Sequence, residues 1–518
     1  MPLRAVAIAP PGYQEGRAGS ALLTSKDPAS LFNVCRYAAW LAEAKTGEWG
    51  ASNWATDRQS RRRNLLLMHS LKEELPVFQS LLEEVQPNLL LIGAMTICLP
   101  GAIECARLAK EMFGDRICIV LGGRHVNESM YLHSHTQAVS HHPASPLRLM
   151  SEGLIDPVFD LVVSGEGDYL IAKIGEIIGR LDHRLMPAGQ TIHHLSELHD
   201  VSGRWIVGWL DKGQTRTLVS QQQDFDRDVM PVPCEMFGIR TGFNVFKGRL
   251  TAHVFSDSSS GCVYDCSFCS ERFKVSGQPL QVATSADRLY RQLTKAVQVV
   301  AQDHPELRAS AFAEDSILLE GQRASMLRLI ELLQPANLDL SFGGQLTIDQ
   351  GLEKSDLLPL LKSTGFDYLF FGLETKDPTD IGGMHKDTGY KKGNWFARAE
   401  KLLGICSKIG IRCGVSVLFG IGESRRSRQE LFQQIAEWRK KFGFPEPISL
   451  NWAVQHPLQG SDGGTGYRYL DWGTPDGPLL EAFQDFGEAS MLYPMAGQLP
   501  PTLDEVTEVV NCHRSLCG

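Results

Sequence analysis

The chain has 518 residues, a length that allows three folding units at about 150 residues per domain. Lys plus Arg is 51 against 60 Asp plus Glu, a formal net charge of −9, so the chain has no general attraction for phosphate backbones and nucleic acid is not an expected partner. Hydrophobic residues at 43% and charged residues at 21% exclude a disordered chain, and no apolar run approaches the ~20 residues of a membrane span.

Residues 4–9 read as a buried strand ending at Pro10-Pro11-Gly12, an apolar run too short for a secretory leader. Most of the twelve cysteines are scattered in apolar segments (Cys98, Cys105, Cys118, Cys406, Cys413). They are expected as small buried hydrophobes of a cytoplasmic protein. Residues 88–95 form a continuous apolar run, the signature of a strand buried on both faces. Helical periodicity follows over 100–113, then a strand over 116–121 running into Gly122-Gly123. A shorter strand over 160–164 runs into Gly165-Glu166-Gly167-Asp168, where a helix begins. Strand, glycine loop and helix in repetition predict a doubly wound, Rossmann-like α/β sheet. Ligands of such sheets bind at the carboxyl ends of the strands, where these loops fall. No G-x-G-x-x-G follows the first strand, which counts against a nicotinamide cofactor.

Residues 221–248 are less regular, and Pro231 and Pro233 read as a connection. A second alternating series follows, with strands expected at 253–256, 309–313, 338–342, 368–372, 411–419 and 448–453 and helices at 285–302, 322–333 and 425–440. Six such units predict an open, partial (β/α)6 barrel. The expected division is 1–215, a connection over 216–250, the barrel over 251–456, and a small region over 457–518 whose Gly-rich start yields no fold from pattern.

The segment Gly261-Cys262-Val263-Tyr264-Asp265-Cys266-Ser267-Phe268-Cys269-Ser270 follows the first strand of that second series. Three thiolates on one loop can ligate three irons of a [4Fe–4S] cubane and leave the fourth iron open. An open metal position takes an exogenous ligand directly. Structural zinc would need a fourth ligand, and the nearest candidate, His253, lies on the strand before the loop.

This C-x3-C-x2-C loop resembles the cluster loop of the radical S-adenosylmethionine (SAM) superfamily. The resemblance implies cluster ligation by Cys262, Cys266 and Cys269 and an adenine contact near Phe268. It places Glu314 and Asp315 where the methionine amino group is recognised. Gly372-Leu373-Glu374 is similar to the fourth-strand Gly-x-Glu segment, and Met384-His385-Lys386 to the short motif after it. Ser416 through Gly420 to Glu423 resembles the fifth-strand segment, with Ile421 standing where Pro is common. Upstream, Gly93-Ala94-Met95-Thr96, Leu121-Gly122-Gly123-Arg124-His125 and Gly165-Glu166-Gly167 resemble the strand-end loops of the cobalamin-binding domain fused to many of these enzymes. Thr96, Gly122, Gly123, Arg124, His125, Gly165, Glu166 and Gly167 are the implied cobalamin contacts. Small residues there would let a corrin approach the backbone.

None of the fifteen His has Asp two residues before it, so the Asp-x-His-x-x-Gly motif of a lower axial His is absent. His-off cobalamin is therefore expected, its lower face met by another side chain or water, with His125 lining the tail pocket. The resemblance implies a C-methyltransferase acting on an unactivated carbon of a natural-product-type small molecule or peptide, through methylcobalamin and a 5′-deoxyadenosyl radical. A flavodoxin- or ferredoxin-type protein would supply electrons. An oxidative cyclase or rearrangement enzyme with the same cofactors is the main alternative. A methylthiotransferase and a corrinoid sensor are poorer fits, given the acidic chain and the intact cysteine triad. Cys512, Cys517 and the run Arg58, Arg61, Arg62, Arg63 are expected to be incidental, and no role is assigned to Trp452 or His456.

Overall fold

The computed structural model describes residues 2–11, 38–39, 54, 57–68, 71–133, 136, 138–180, 194–240, 242–258, 261–266, 268–269, 271–272, 281–376, 384–386, 395–453, 499 and 501–517. Among the described residues the chain divides into two compact units, one up to Gly238 and the other from Ile239 onward.

Among the described residues the first unit holds nine strands: β1 (Ala5–Ala9), β2 (Leu65–Leu67), β3 (Leu89–Gly93), β4 (Cys118–Gly122), β5 (Met130–Leu132), β6 (Val139–His141), β7 (Leu161–Gly165), β8 (Trp205–Asp211) and β9 (Gln214–Val219). Seven of them form one sheet in the order β2-β1-β3-β4-β7-β8-β9, while β5 and β6 pair separately. Strands β2 to β7 of this sheet run parallel, as the apolar runs predict. From β1 the chain steps outward to β2 and then returns across β1 to β3 and onward in the other direction, so the switch point of the sheet lies between β1 and β3.

The antiparallel edge β8–β9 was not expected, and residue 215 falls inside it. Its turn, Lys212-Gly213, has φ of +50° and +78°, the two left-handed positions of a type I′ hairpin. Lys-Gly between two alternating runs was the available signal. The proline-marked connection is also structured. A short helix, Pro233–Phe237, buries Cys234 and Phe237, and the Phe237 ring meets Trp54 edge-on at 6.0 Å. The arginine run forms a helix, Arg58–Arg63. Arg58 Nε and Arg61 Nη1 donate to the carbonyls of Glu235 and Met236 at 2.9 and 3.3 Å, where cations satisfy the open end of a helix.

The second unit is a parallel six-stranded sheet whose strands follow chain order: β10 (Arg249–Val254), β11 (Arg308–Ala313), β12 (Leu340–Gln345), β13 (Phe366–Glu374), β14 (Arg412–Phe419) and β15 (Ile448–Trp452). Helices Ser285–Asp303, Arg323–Ala336, Trp395–Ile409 and Arg425–Phe442 lie between successive strands, the arrangement of a half-barrel. Helix Ser285–Asp303 shows why it docks: Leu289, Leu293, Ala296 and Val300 recur on one buried face.

Strand β10 starts four residues earlier than its apolar pattern suggested. Leu250, Ala252 and Val254 alternate with Arg249, Thr251 and His253, and the polar set faces the barrel interior. There Thr251 Oγ1 lies 2.8 Å from Ser310 Oγ. Next to this polar pair Val245, Phe246, Phe312 and Tyr368 form an apolar cluster, with Phe312 paired across the sheet with His253. A helix near the C-terminus, Leu503–Cys517, packs along helix Arg425–Phe442. It is held by Arg428 Nη2 to Glu505 Oε1 at 2.7 Å and by His513 Nε2 donating to the carbonyl of Ile448 at 2.8 Å. His456 and the Gly-rich stretch after Pro457 lie outside the described residues. Among the described residues no helix is long and apolar enough to cross a membrane.

Candidate functional site

The three cysteines sit on a loop that leaves the carboxyl end of β10. The loop closes on itself: Cys262 N–H donates to the carbonyl of Glu271 at 2.8 Å and Cys269 N–H to that of Cys266 at 3.1 Å. Arg272 grips Asp265 through two bonds of 2.7 and 3.1 Å, a bidentate pair that sets the loop's width. Two sulfurs receive backbone N–H groups, Cys269 Sγ from Glu271 at 3.4 Å and Cys266 Sγ from His385 at 3.3 Å. Burial pushes all three thiols up, Cys262 to about 11 and Cys269 to about 12, and Cys269 is raised further by the other two. Buried thiols that repel one another as anions, with N–H groups aimed at sulfur, suit a bound cation that takes the place of lost water. Among the described residues no three His, Cys, Asp or Glu side chains converge on a single-ion site. A cubane asks for something different, one sulfur on each of three irons.

Phe268 is half-buried and packs with Leu418, Ile421, Ala453 and Met384, which ties the cysteine loop to the ends of β14 and β15. The segment Met384-His385-Lys386 reaches both ways, since the N–H of His385 meets Cys266 and Lys386 Nζ is ion-paired with Glu374. Glu374 stands at the end of β13 with φ of +60°, beside a register shift between Gly372 and Glu374. Such bulges re-aim side chains at strand ends. A Cβ on Gly372 would lie 2.1 Å from Lys386 Nζ, so that glycine makes room for the pair.

Glu314 and Asp315 part company at the end of β11. Glu314 is half-exposed and bonded to the ring of His253 in the barrel interior. Asp315 is half-buried, its carboxylate accepting the N–H of Ser256 at 2.9 Å and its hydroxyl at 2.8 Å. Burial pushes its pKa up to about 7 against the effect of those bonds. Asp315 thus braces the chain leading into the cysteine loop, and His253, considered from sequence only as a zinc ligand, is the interior partner of Glu314. On β14, Ser416 Oγ accepts from Asn451 Nδ2 at 2.8 Å. The turn after β14 is closed by Glu423, whose carboxylate accepts the N–H groups of Gly420 and Ile421, each at 3.0 Å. Trp452 is core, against Phe419 at 5.6 Å. Cys512 is half-buried, and burial raises its pKa.

In the first unit the three glycine loops meet at one edge of the sheet. Ala94 N–H donates to Gly122 O at 3.0 Å and His125 N–H to Ala94 O at 3.1 Å, pinning the ends of β3 and β4 together. Gly123 has φ of +97°, and a Cβ there would lie 2.6 Å from Ala94 N; at Gly165, with φ of +87°, it would lie 2.2 Å from Arg204 O. Both glycines are required by the chain's own packing. Glu166 is ion-paired with buried Arg227 and accepts from Arg204 N–H at 3.3 Å, while Gly167 N–H donates to Gly165 O at 3.1 Å. Asn127 Oδ1 accepts from Gly165 N–H at 2.9 Å, a link that no sequence signal announced.

His125 is wholly buried. Its Nε2 lies 2.9 Å from the carbonyl of Ala144, so Nε2 carries the hydrogen and Nδ1 accepts from Thr96 Oγ1 at 3.2 Å. Burial lowers its pKa to about 4. His125 and Thr96 therefore lock the loops from beneath. What the edge presents outward is Met95 and half-buried Arg124, an apolar group and a cation, which fit a flat apolar ring bearing a phosphate-containing tail.

No family model matches the chain. A hopanoid C-2 methylase from Rhodopseudomonas palustris (strain TIE-1) is 24% identical over 258 residues, 47% of this chain and 43% of that protein. The match thus spans less than half of the relative's length. Among solved structures, the radical S-adenosylmethionine methyltransferase TsrM from Kitasatospora setae, with cobalamin and a [4Fe–4S] cluster bound, is similar at 12% identity and a TM-score of 0.48, covering 87% of this chain and 72% of that one. The same protein with tryptophan and a SAM analog gives 12% and 0.47, covering 88% and 74%.

Proposed function

We propose that this chain is a cobalamin-dependent radical SAM enzyme that transfers a methyl group to a carbon atom. The observation that carries the reading is the placement of the three-cysteine loop at the carboxyl end of the first strand of a chain-ordered parallel half-barrel, with Glu314 and Glu374 at the carboxyl ends of β11 and β13 and Ser416 within β14. Similarity to a hopanoid C-2 methylase supports carbon as the methyl acceptor. When bound, the cluster and cobalamin would supply one-electron reduction of SAM and methyl carriage.

The protein's own contribution is binding and orientation. Cys262, Cys266 and Cys269 would hold the cluster, with the N–H groups of Glu271 and His385 toward its sulfurs. Phe268 would lie along the adenine, Glu314 would take the methionine ammonium, and Ser416 with Asn451 would take hydroxyl groups of the ribose. Thr96, Gly122, Gly123, Arg124, His125, Gly165, Glu166 and Gly167 would shape the corrinoid end of the first unit. A small-molecule or peptide substrate of natural-product type fits this reading, as does a flavodoxin- or ferredoxin-type reductant.

The test is anaerobic purification with cobalamin supplied during expression, followed by iron, sulfide and corrinoid analysis and incubation with SAM and reductant. About four irons and one corrinoid per chain are expected, with 5′-deoxyadenosine and S-adenosylhomocysteine among the products. Iron without corrinoid overturns the methyl-transfer reading. Deoxyadenosine without S-adenosylhomocysteine would favour a cyclase or rearrangement enzyme.

A further inference from the structure

We propose that Met95 is the side chain that meets the lower face of the corrin ring, an inference that rests on the cobalamin reading above. The ends of β1 and β3 flank the switch point of the first sheet, the place where such folds receive ligands. Among the described residues there, Pro10, Pro11, Ala94, Thr96, Gly122 and Gly123 are buried. Met95 alone among these strand-end neighbours stands out, 48% exposed. Its backbone is not free to retract, because its carbonyl accepts the N–H of Cys98 at 3.0 Å in the turn that opens helix Leu99–Phe113. Its neighbours are tied too, Ala94 to Gly122 and Thr96 to His125.

The nucleotide tail of cobalamin hangs from the lower face of the ring. A sheet that takes the tail between its strand ends must therefore receive that face, and among the described residues at this switch point the side chain exposed to meet it is Met95. His125, the other candidate, has both ring nitrogens engaged beneath the loop. A thioether is soft, apolar and a weak donor, so it covers the lower face and excludes water without acting as a strong axial ligand.

The test uses full-length protein loaded with cobalamin and reduced to cob(II)alamin, read by electron paramagnetic resonance. Wild type should show no nitrogen splitting of the cobalt lines. Met95→His should place an imidazole at the cobalt and split each line into three. Met95→Ala should fold and hold the cluster but bind corrinoid about tenfold more weakly. A Met95→His spectrum identical to wild type at full corrinoid occupancy overturns the proposal. If Met95→His loses the corrinoid, Met95→Ala decides: a raised dissociation constant supports the proposal and an unchanged one overturns it. Wild-type protein that retains no corrinoid overturns the cobalamin reading, and this inference with it.

Discussion

His125 shows how a single residue can be polar and still structural. Its ordinary pKa is 6.5, and burial holds it near 4 in the folded chain. An unfolded chain takes up the proton as pH falls through about 6.5, whereas the folded one resists until about 4. Stability is therefore lost across that window by roughly 3 kcal/mol, and above it His125 contributes no pH dependence. His142, lowered by burial to about 4 as well, acts in the same direction. Melting temperatures between pH 7 and 4 should fall, and His125→Gln should flatten the decline. An unchanged slope would mean that the imidazole does not set the acid lability of this unit. The cysteines make the opposite kind of residue. On the proposed reading, Ala at Cys262, Cys266 or Cys269 should abolish iron binding and SAM cleavage, because each sulfur would serve a separate iron.

Among the elements, the turn after β14 is the most informative. Ile421 occupies the position where the segment that 416–423 resembles commonly carries Pro, a residue that would stiffen the backbone. The structure stiffens it differently. The N–H of Ile421, which proline would lack, is bound to Glu423, whose carboxylate also holds Gly420 and pairs with Arg428. Gly420 and Gly422 supply the positive φ values of +83° and +100° that the turn needs. Restoring the proline should therefore destabilise. Ile421→Pro loses a hydrogen bond to a buried charge, worth about 2 kcal/mol, and the melting temperature should drop. Glu423→Ala should cost more, about 3 kcal/mol, because it frees the N–H groups of both Gly420 and Ile421 and leaves Arg428 with Glu505 as its remaining carboxylate partner.

For the whole molecule, the two compact units carry separate residue sets, the cysteine loop after Ile239 and the glycine loops before Gly238. Cofactor losses should accordingly separate. Gly123→Val forces a side chain into Ala94 at a left-handed backbone position, so it should abolish corrinoid retention and leave about four irons per chain. Cys266→Ala should do the reverse. Parallel iron and corrinoid assays on both variants check this, and joint loss of both cofactors in either variant would show that the units are not independent in binding.

Continuous apolar runs and glycine-ended strands made β1, β3, β4 and β7 legible, because strands buried on both faces must be apolar throughout. The spacing of Cys262, Cys266 and Cys269 was equally plain, since local chain geometry alone brings three thiols onto one loop. Strand β10 was misplaced because the interior of the half-barrel carries Thr251 and His253, and polar residues at that face erase the apolar signal. The β8–β9 hairpin was missed because an edge pair needs only a turn and one buried face. What tertiary structure decided was pairing at a distance: Glu314 with His253, Glu374 with Lys386, His125 with Thr96 and Ala144. It also decided which side of each loop faces outward, and so left Met95 rather than His125 at the open edge. Periodicity reports which face of an element is buried, but which groups meet there depends on strand register and packing that no local window of sequence contains.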